Sequence, residues 1–240
     1  MIRENLKDFK GLDHDPDFRW RGNNVTRIEN LSDIAFAIAL GMIISGVDAP
    51  KTFDQLREFL FYLVPTGAAF AVMLQVWRIH YTFFRRYGVA DQYIIRLNAC
   101  LIFVVLYLAY PLWFTFSALY SWVVGQWTND YAKAIEMGMT TTNSVKTICL
   151  FVIAYASSQV IMALMYGHIV RKRELLQLDE QELSRTRETH IGLWWSTVIS
   201  MTAVPLAMLT SLGPFAAFLL FFQAPGYWVA KKFLNRRAKP

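Results

Sequence analysis

The stretch 25-VTRIENLSDIAFAIALGMIISG-46 decides how this chain folds, because it is built like a membrane helix and yet breaks the usual rules for one. Arg27, Glu29 and Asp33 crowd its start, and Ala35, Ala37, Ala39 and Gly41 offer little side-chain surface to lipid. A carboxylate at the centre of a bilayer costs about 2.5–3.5 kcal/mol on insertion scales, so it should turn inward and find partners. Small residues let helix backbones approach closely, as at membrane helix interfaces. Both features predict a helix that faces protein rather than lipid.

The rest of the chain supports a membrane setting. Of 240 residues, 55% are hydrophobic and only 18% are charged, with a mean hydropathy of +0.30. An average soluble protein is about 25% charged. Six stretches approach the roughly 20 apolar residues that a helical span needs: 28–47, 57–82, 97–122, 145–168, 191–211 and 213–230. They use most of the chain and leave no room for a second, soluble domain. The expected fold is therefore an all-α membrane protein with six transmembrane helices. The polar N-terminus lacks the apolar core of a signal peptide, and no internal repeat is evident. Cys100 and Cys149 both fall in apolar stretches and read as packing residues.

Lys and Arg set the orientation. Twenty of the 24 fall in the N-terminal segment, the 2–3 and 4–5 connections and the C-terminus, against four on the other side. Both termini are thus expected in the cytoplasm. Basic residues beside spans set topology and touch anionic lipid, so the net charge of +6 calls for no nucleic acid. The 4–5 connection, with Leu175, Leu176, Leu178 and Leu183, is expected to extend as a helix beyond the membrane.

This orientation brings polar groups from three helices to one depth. Arg27, Ser32 and Asp33 lie at the inner end of the first helix, Trp77 and His80 at that of the second, and Asn98 at that of the third. They either snorkel to water as ordinary interfacial residues or form a bonded network that fixes the first helix's rotation. In the second case His80 and Asn98 donate to Asp33, and Arg27 pairs with it by charge. Catalysis is not indicated. The chain has no HExxH, GxSxG or glycine-rich phosphate loop, and His14, His168 and His190 show no metal-ligand spacing. On an adjacent stripe of the first helix lie Ile34, Ile38, Gly41 or Met42, and Ser45, facing lipid or a symmetry axis.

At these residues the chain resembles a known family. The stretch Arg27 to Ala39, RIENLSDIAFAIA, is similar to the first-helix signature R-x-x-x-F-S-D of the transmembrane protein 175 family of lysosomal and prokaryotic potassium channels. VWRIHYTFF, with Trp77 and His80, resembles that family's W-x-x-H, and RLNACLIFVVLYLAYP, with Asn98 and Pro111, resembles its third helix. The resemblance covers roughly residues 27–115.

That resemblance implies a homotetramer with one pore lined by the four first helices. It implies a main hydrophobic constriction at Ile38, further pore positions at Gly41, Met42 and Ser45, and an anchoring network of Arg27, Ser32, Asp33, His80 and Asn98. The carbonyl filter sequence T-V-G-Y-G of ordinary potassium channels is absent here too. A ring of isoleucines offers no oxygens to replace an ion's hydration shell, but it can gate by dewetting. Leu31 stands where the signature has Phe, Gly41 where prokaryotic members often have Thr, and Ser45 where Leu is common. Only backbone can contribute at Gly41.

The expected function is a potassium-permeable cation channel of the cell (inner) membrane, not an enzyme, whose partners are its own copies, the lipid bilayer and the permeant potassium ion, with no cofactor or nucleic acid. Its expected parts are a cytoplasmic segment 1–26, a channel domain 27–230 and a basic tail 231–240. An ion-coupled secondary transporter and a non-conducting membrane scaffold are the rival readings.

Overall fold

The computed structural model describes residues 18–22, 25–45 and 49–209. The expected span 213–230 and the tail 231–240 lie outside the described residues, as does most of the segment 1–26.

Seven helices make up the described chain. The first, α1 (Arg27–Ile44), starts at a capping box: the Glu29 amide donates to Thr26 Oγ1 at 3.3 Å and the Glu29 carboxylate accepts from the Thr26 amide at 3.3 Å. These bonds satisfy two of the unpaired groups at a helix start. Glu29 is therefore a cap. Next come α2 (Phe53–Phe61) and α3 (Leu63–Tyr87), which meet at Tyr62 with a bend of 45°. The span expected at 57–82 is thus broken near its start. Pro65 sits in the first turn of α3, where a missing N–H costs nothing.

The long α4 (Gln92–Thr128) is capped by Asp91, whose Oδ1 accepts from the Ile94 amide at 3.0 Å, and contains Pro111. A short α5 (Ala132–Glu136) leads to α6 (Thr141–Arg171) and α7 (Glu180–Leu209). Of the 4–5 connection, residues 172–179 turn, while 180–190 form the expected helical extension as the start of α7. Leu176 and Leu178 of that turn pack against the core, Leu183 is buried in α7, and Leu175 is exposed.

Three described helices, α4, α6 and α7, are long and apolar enough to cross a membrane, or four if α2 and α3 count as one broken span. At 18 residues and with three charges, α1 reaches only about 27 Å at 1.5 Å per residue, short of a full hydrocarbon core.

The helix α4 is central and packs against α1, α3 and α6, while α6 pairs with α7. Their shared core includes Phe36 and Ile43 from α1, Met73 and Phe83 from α3, Leu101, Val105 and Leu108 from α4, and Met162 and Tyr166 from α6.

Candidate functional site

Two faces of α1 do different work. Ser32, Ala35, Phe36, Ala39 and Ile43 are buried against the bundle. Opposite them, Leu31, Ile34, Ile38, Gly41 and Ser45 are exposed and share a face at three- and four-residue spacing, with Arg27 at its N-terminal end. Ile34 is 58% and Ile38 51% exposed. A Cβ built on Gly41 would meet nothing within 4 Å. Met42, half-buried, packs at the edge of the core. All five expected pore positions therefore lie on or beside the side of α1 that its own bundle leaves uncovered.

A directed chain of hydrogen bonds holds the other face. His80 and Asn98 join through Nε2 and Oδ1 at 2.8 Å, and Asn98 Nδ2 donates to Ser32 Oγ at 2.7 Å. Ser32 Oγ donates in turn to the Ile28 carbonyl at 2.9 Å. Because the Asn98 amide nitrogen faces Ser32, its carbonyl faces His80, so Nε2 is the nitrogen that carries the proton. All three side chains are fully buried. Bonds of this kind between α1, α3 and α4 leave little freedom to rotate α1 without leaving buried polar groups unpaired.

Asp33 stands on a separate branch. Its Oδ1 accepts from Trp77 Nε1 at 3.0 Å, and Trp77 stacks on Tyr81 with ring centroids 5.4 Å apart. The bonds expected from His80 and Asn98 to Asp33 are not made, because His80 donates to Asn98 and Asn98 donates to Ser32. Arg27 lies toward the uncovered side and, among the described residues, forms no ion pair with Asp33. The structure thus brings together Ser32, His80 and Asn98, pairs Asp33 with Trp77, and leaves Arg27 apart from both.

The arginine that faces the base of α1 is another. Arg85 Nε lies 3.9 Å from Glu29 Oε1, and Arg85 Nη1 donates to the Gly22 carbonyl at 3.3 Å. Arg21 forms a bidentate pair with Glu182. Burial alone would raise the Glu182 carboxyl, but the bonds from Arg21 and from the Arg19 amide outweigh it and hold the group below its usual range. The T-x-x-E pattern of Thr26 and Glu29 is a local signal for the cap. The Arg21–Glu182 pair spans 161 residues and leaves no local trace.

A second charged cluster closes the same end of the bundle. Asp91 Oδ2 meets His168 Nε2 at 2.7 Å and Lys172 Nζ at 2.6 Å. Burial works to raise the Asp91 carboxyl, yet Lys172, the Ile94 amide and His168 together hold it well below the ordinary carboxylate range. Among the described residues no group of His, Cys, Asp and Glu could hold a metal ion.

Comparison with known proteins follows the same lines. Residues 27–111 match the family model described as endosomal/lysosomal potassium channel TMEM175. Over 236 residues the chain is 26% identical to a protein of Marivirga tractuosa named "Potassium channel", covering 93% of each. Its fold is similar to the crystal structure of a variant of the potassium channel MtTMEM175 in complex with a nanobody-MBP fusion protein. That likeness has a TM-score of 0.81 at 25% identity, covering 94% of this chain and 100% of the other. The resemblance read from residues 27–115 is the one these comparisons find.

Proposed function

We infer that this chain, whose residues 27–111 match the TMEM175 potassium-channel family, is a potassium-permeable cation channel. It acts as a homotetramer in the inner membrane, with both termini cytoplasmic, and neither an enzyme activity nor a cofactor is part of the reading. The pore runs between four copies of α1. Ile38 forms the main constriction, Ile34 and Met42 flank it, and Gly41 and Ser45 line the outer part.

The observation that carries this reading is the division of α1 into an anchored face and an uncovered one. The Ser32–Asn98–His80 bonds fix which side is turned inward. The side left over presents Ile34 and Ile38. Four isoleucines at one level make a neck that excludes ions when dry and passes hydrated ions when wet. A carbonyl filter has no place in it.

The test is potassium and sodium flux through purified protein in liposomes, with Ile38→Asn beside the wild type. A polar ring wets more readily, so Ile38→Asn should raise potassium flux severalfold and narrow the gap between the two ions. Saturable flux coupled to a second ion would favour a transporter, and no flux at all a scaffold. Equal flux in wild type and variant would remove Ile38 from the constriction.

A further inference from the structure

The segment 18–22 lies across the inner end of the bundle as a strap, and its packing is too complete for a loose tail. The Gly22 and Arg21 amides donate to the Arg85 and Arg86 carbonyls at 3.1 and 3.3 Å. They thereby cap two of the carbonyls that the end of α3 would otherwise leave unpaired. Any side chain at Gly22 would overlap the Phe84 carbonyl oxygen, so only glycine permits this approach. Phe18 is buried, edge-on to Tyr87 at 5.5 Å and under the Arg86 guanidinium at 4.7 Å.

Arg21 fastens the strap to the far side. Its guanidinium has five N–H groups, and the structure gives it five acceptors. Nε donates to the Leu176 carbonyl at 3.1 Å, Nη1 to the Arg19 carbonyl and to Glu182 Oε1, both at 3.0 Å, and Nη2 to the Gln177 carbonyl at 3.2 Å and to Glu182 Oε2 at 2.5 Å. Glu182 also accepts from the Arg19 amide at 2.8 Å. Gln177 holds a φ of +48°, a left-handed conformation that side chains other than glycine rarely adopt. Strain of that kind persists only where the surroundings over-determine it, and here the strained residue's carbonyl is one that Arg21 takes.

The strap precedes α1 closely in the chain. Only four residues separate Gly22 from Arg27. Arg85 touches both ends of that interval, donating to the Gly22 carbonyl and facing the Glu29 carboxylate of the α1 cap. Tyr87 adds a tie from the end of α3 to α7, its hydroxyl 2.7 Å from Thr186 Oγ1.

We propose that the strap 18–22 positions the inner end of the pore helix, with Arg21 and Glu182 as its lock, so that the conducting arrangement depends on an ion pair remote from the constriction. The proposal rests on the channel reading above. Arg21 and Glu182 touch no ion and act only through α1. With the strap fastened, the chain just ahead of α1 is tied to the end of α3 and the start of α7. Released, the first turn of α1, ahead of its Ser32–Asn98 anchor, shifts and tilts the helix toward the axis, where apolar rings from four copies attract one another and the neck narrows.

The experiment compares wild type, Arg21→Gln, Glu182→Gln and the double variant as purified assemblies in liposomes, with flux normalised to assembled protein. Each single change should lower potassium flux at least threefold, and the double variant should match the worse single rather than their product, as expected for one shared interaction. Unchanged or raised flux, or independent multiplicative effects, would overturn the lock. Hydrogen exchange at the α1 amides of Ile28 to Asp33 supplies a readout that does not depend on conduction. Glu182→Gln should speed it at least tenfold, and protection equal to wild type would overturn the positioning role. If the wild type carries no flux, the channel reading fails, and the exchange result still decides whether the strap holds α1.

Discussion

Asn98 is the residue on which the anchored face of α1 turns, because it accepts from His80 and donates to Ser32 in a fully buried position. Replacing Asn98 with Ala leaves the His80 N–H and the Ser32 hydroxyl each short of a partner, and an unsatisfied buried polar group costs about 1–3 kcal/mol. Asn98→Ala should therefore lower stability by about 3 kcal/mol in thermal unfolding of the detergent-solubilised protein. Trp77→Phe removes only the donor to half-buried Asp33, and should cost about 1 kcal/mol. An Asn98→Ala protein as stable as the wild type would mean the chain of bonds anchors nothing. The sequence brought these residues to one depth, since charge bias and helix direction are local properties. It could not say which pairs form. Asp33 and Ser32 are adjacent on α1 and point about 100° apart, so a single step decides which one meets His80 and Asn98.

Among the elements, α4 depends most on its first turn. Asp91 caps it through the Ile94 amide and also receives Lys172 and His168 from the end of α6. Asparagine caps about as well as aspartate but carries no charge. Asp91→Asn should therefore cost about 1 kcal/mol, as a partly exposed ion pair does, and Asp91→Ala about 1 kcal/mol more for the lost cap. The carboxyl's folded-state pKa lies below its unfolded value. The charge-dependent part is present above the ordinary aspartate pKa of about 3.9 and is lost as pH falls through the folded value. Unfolding midpoints of wild type and Asp91→Asn should stay apart from neutral pH down to about pH 4 and converge only below it. Convergence already at pH 5 would contradict the depressed carboxyl. At this scale the sequence was readable where hydropathy speaks for itself: α4, α6 and α7 lie where continuous apolar runs placed them. The bend at Tyr62 was not readable, because the apolar run 57–82 is continuous across it and Pro65, in the first turn of α3, follows the bend instead of marking it.

Across the whole molecule, two exposed apolar faces compete for the axis. On α4, Phe103, Tyr107 and Tyr110 are large, aromatic and 57–71% exposed. On α1 the uncovered face carries Leu31, Ile34, Ile38, Gly41 and Ser45. Bulky aromatics suit lipid chains and the interface. Around a shared axis small residues permit close approach, and Ser45 and Gly41 toward the outer end leave room for water. The two faces make opposite predictions for a positively charged, water-soluble thiol reagent. In a background in which Cys100 and Cys149 are replaced by alanine, Ser45→Cys should react and lose more than half its potassium flux, because a cation fixed in the pore repels the permeant one. Phe103→Cys should keep its flux under the same treatment. Loss at Phe103→Cys with none at Ser45→Cys would turn the subunit around and put α4 at the axis. Flux surviving in both would leave the uncovered face of α1 against lipid, and the ring of Ile38 side chains would not exist.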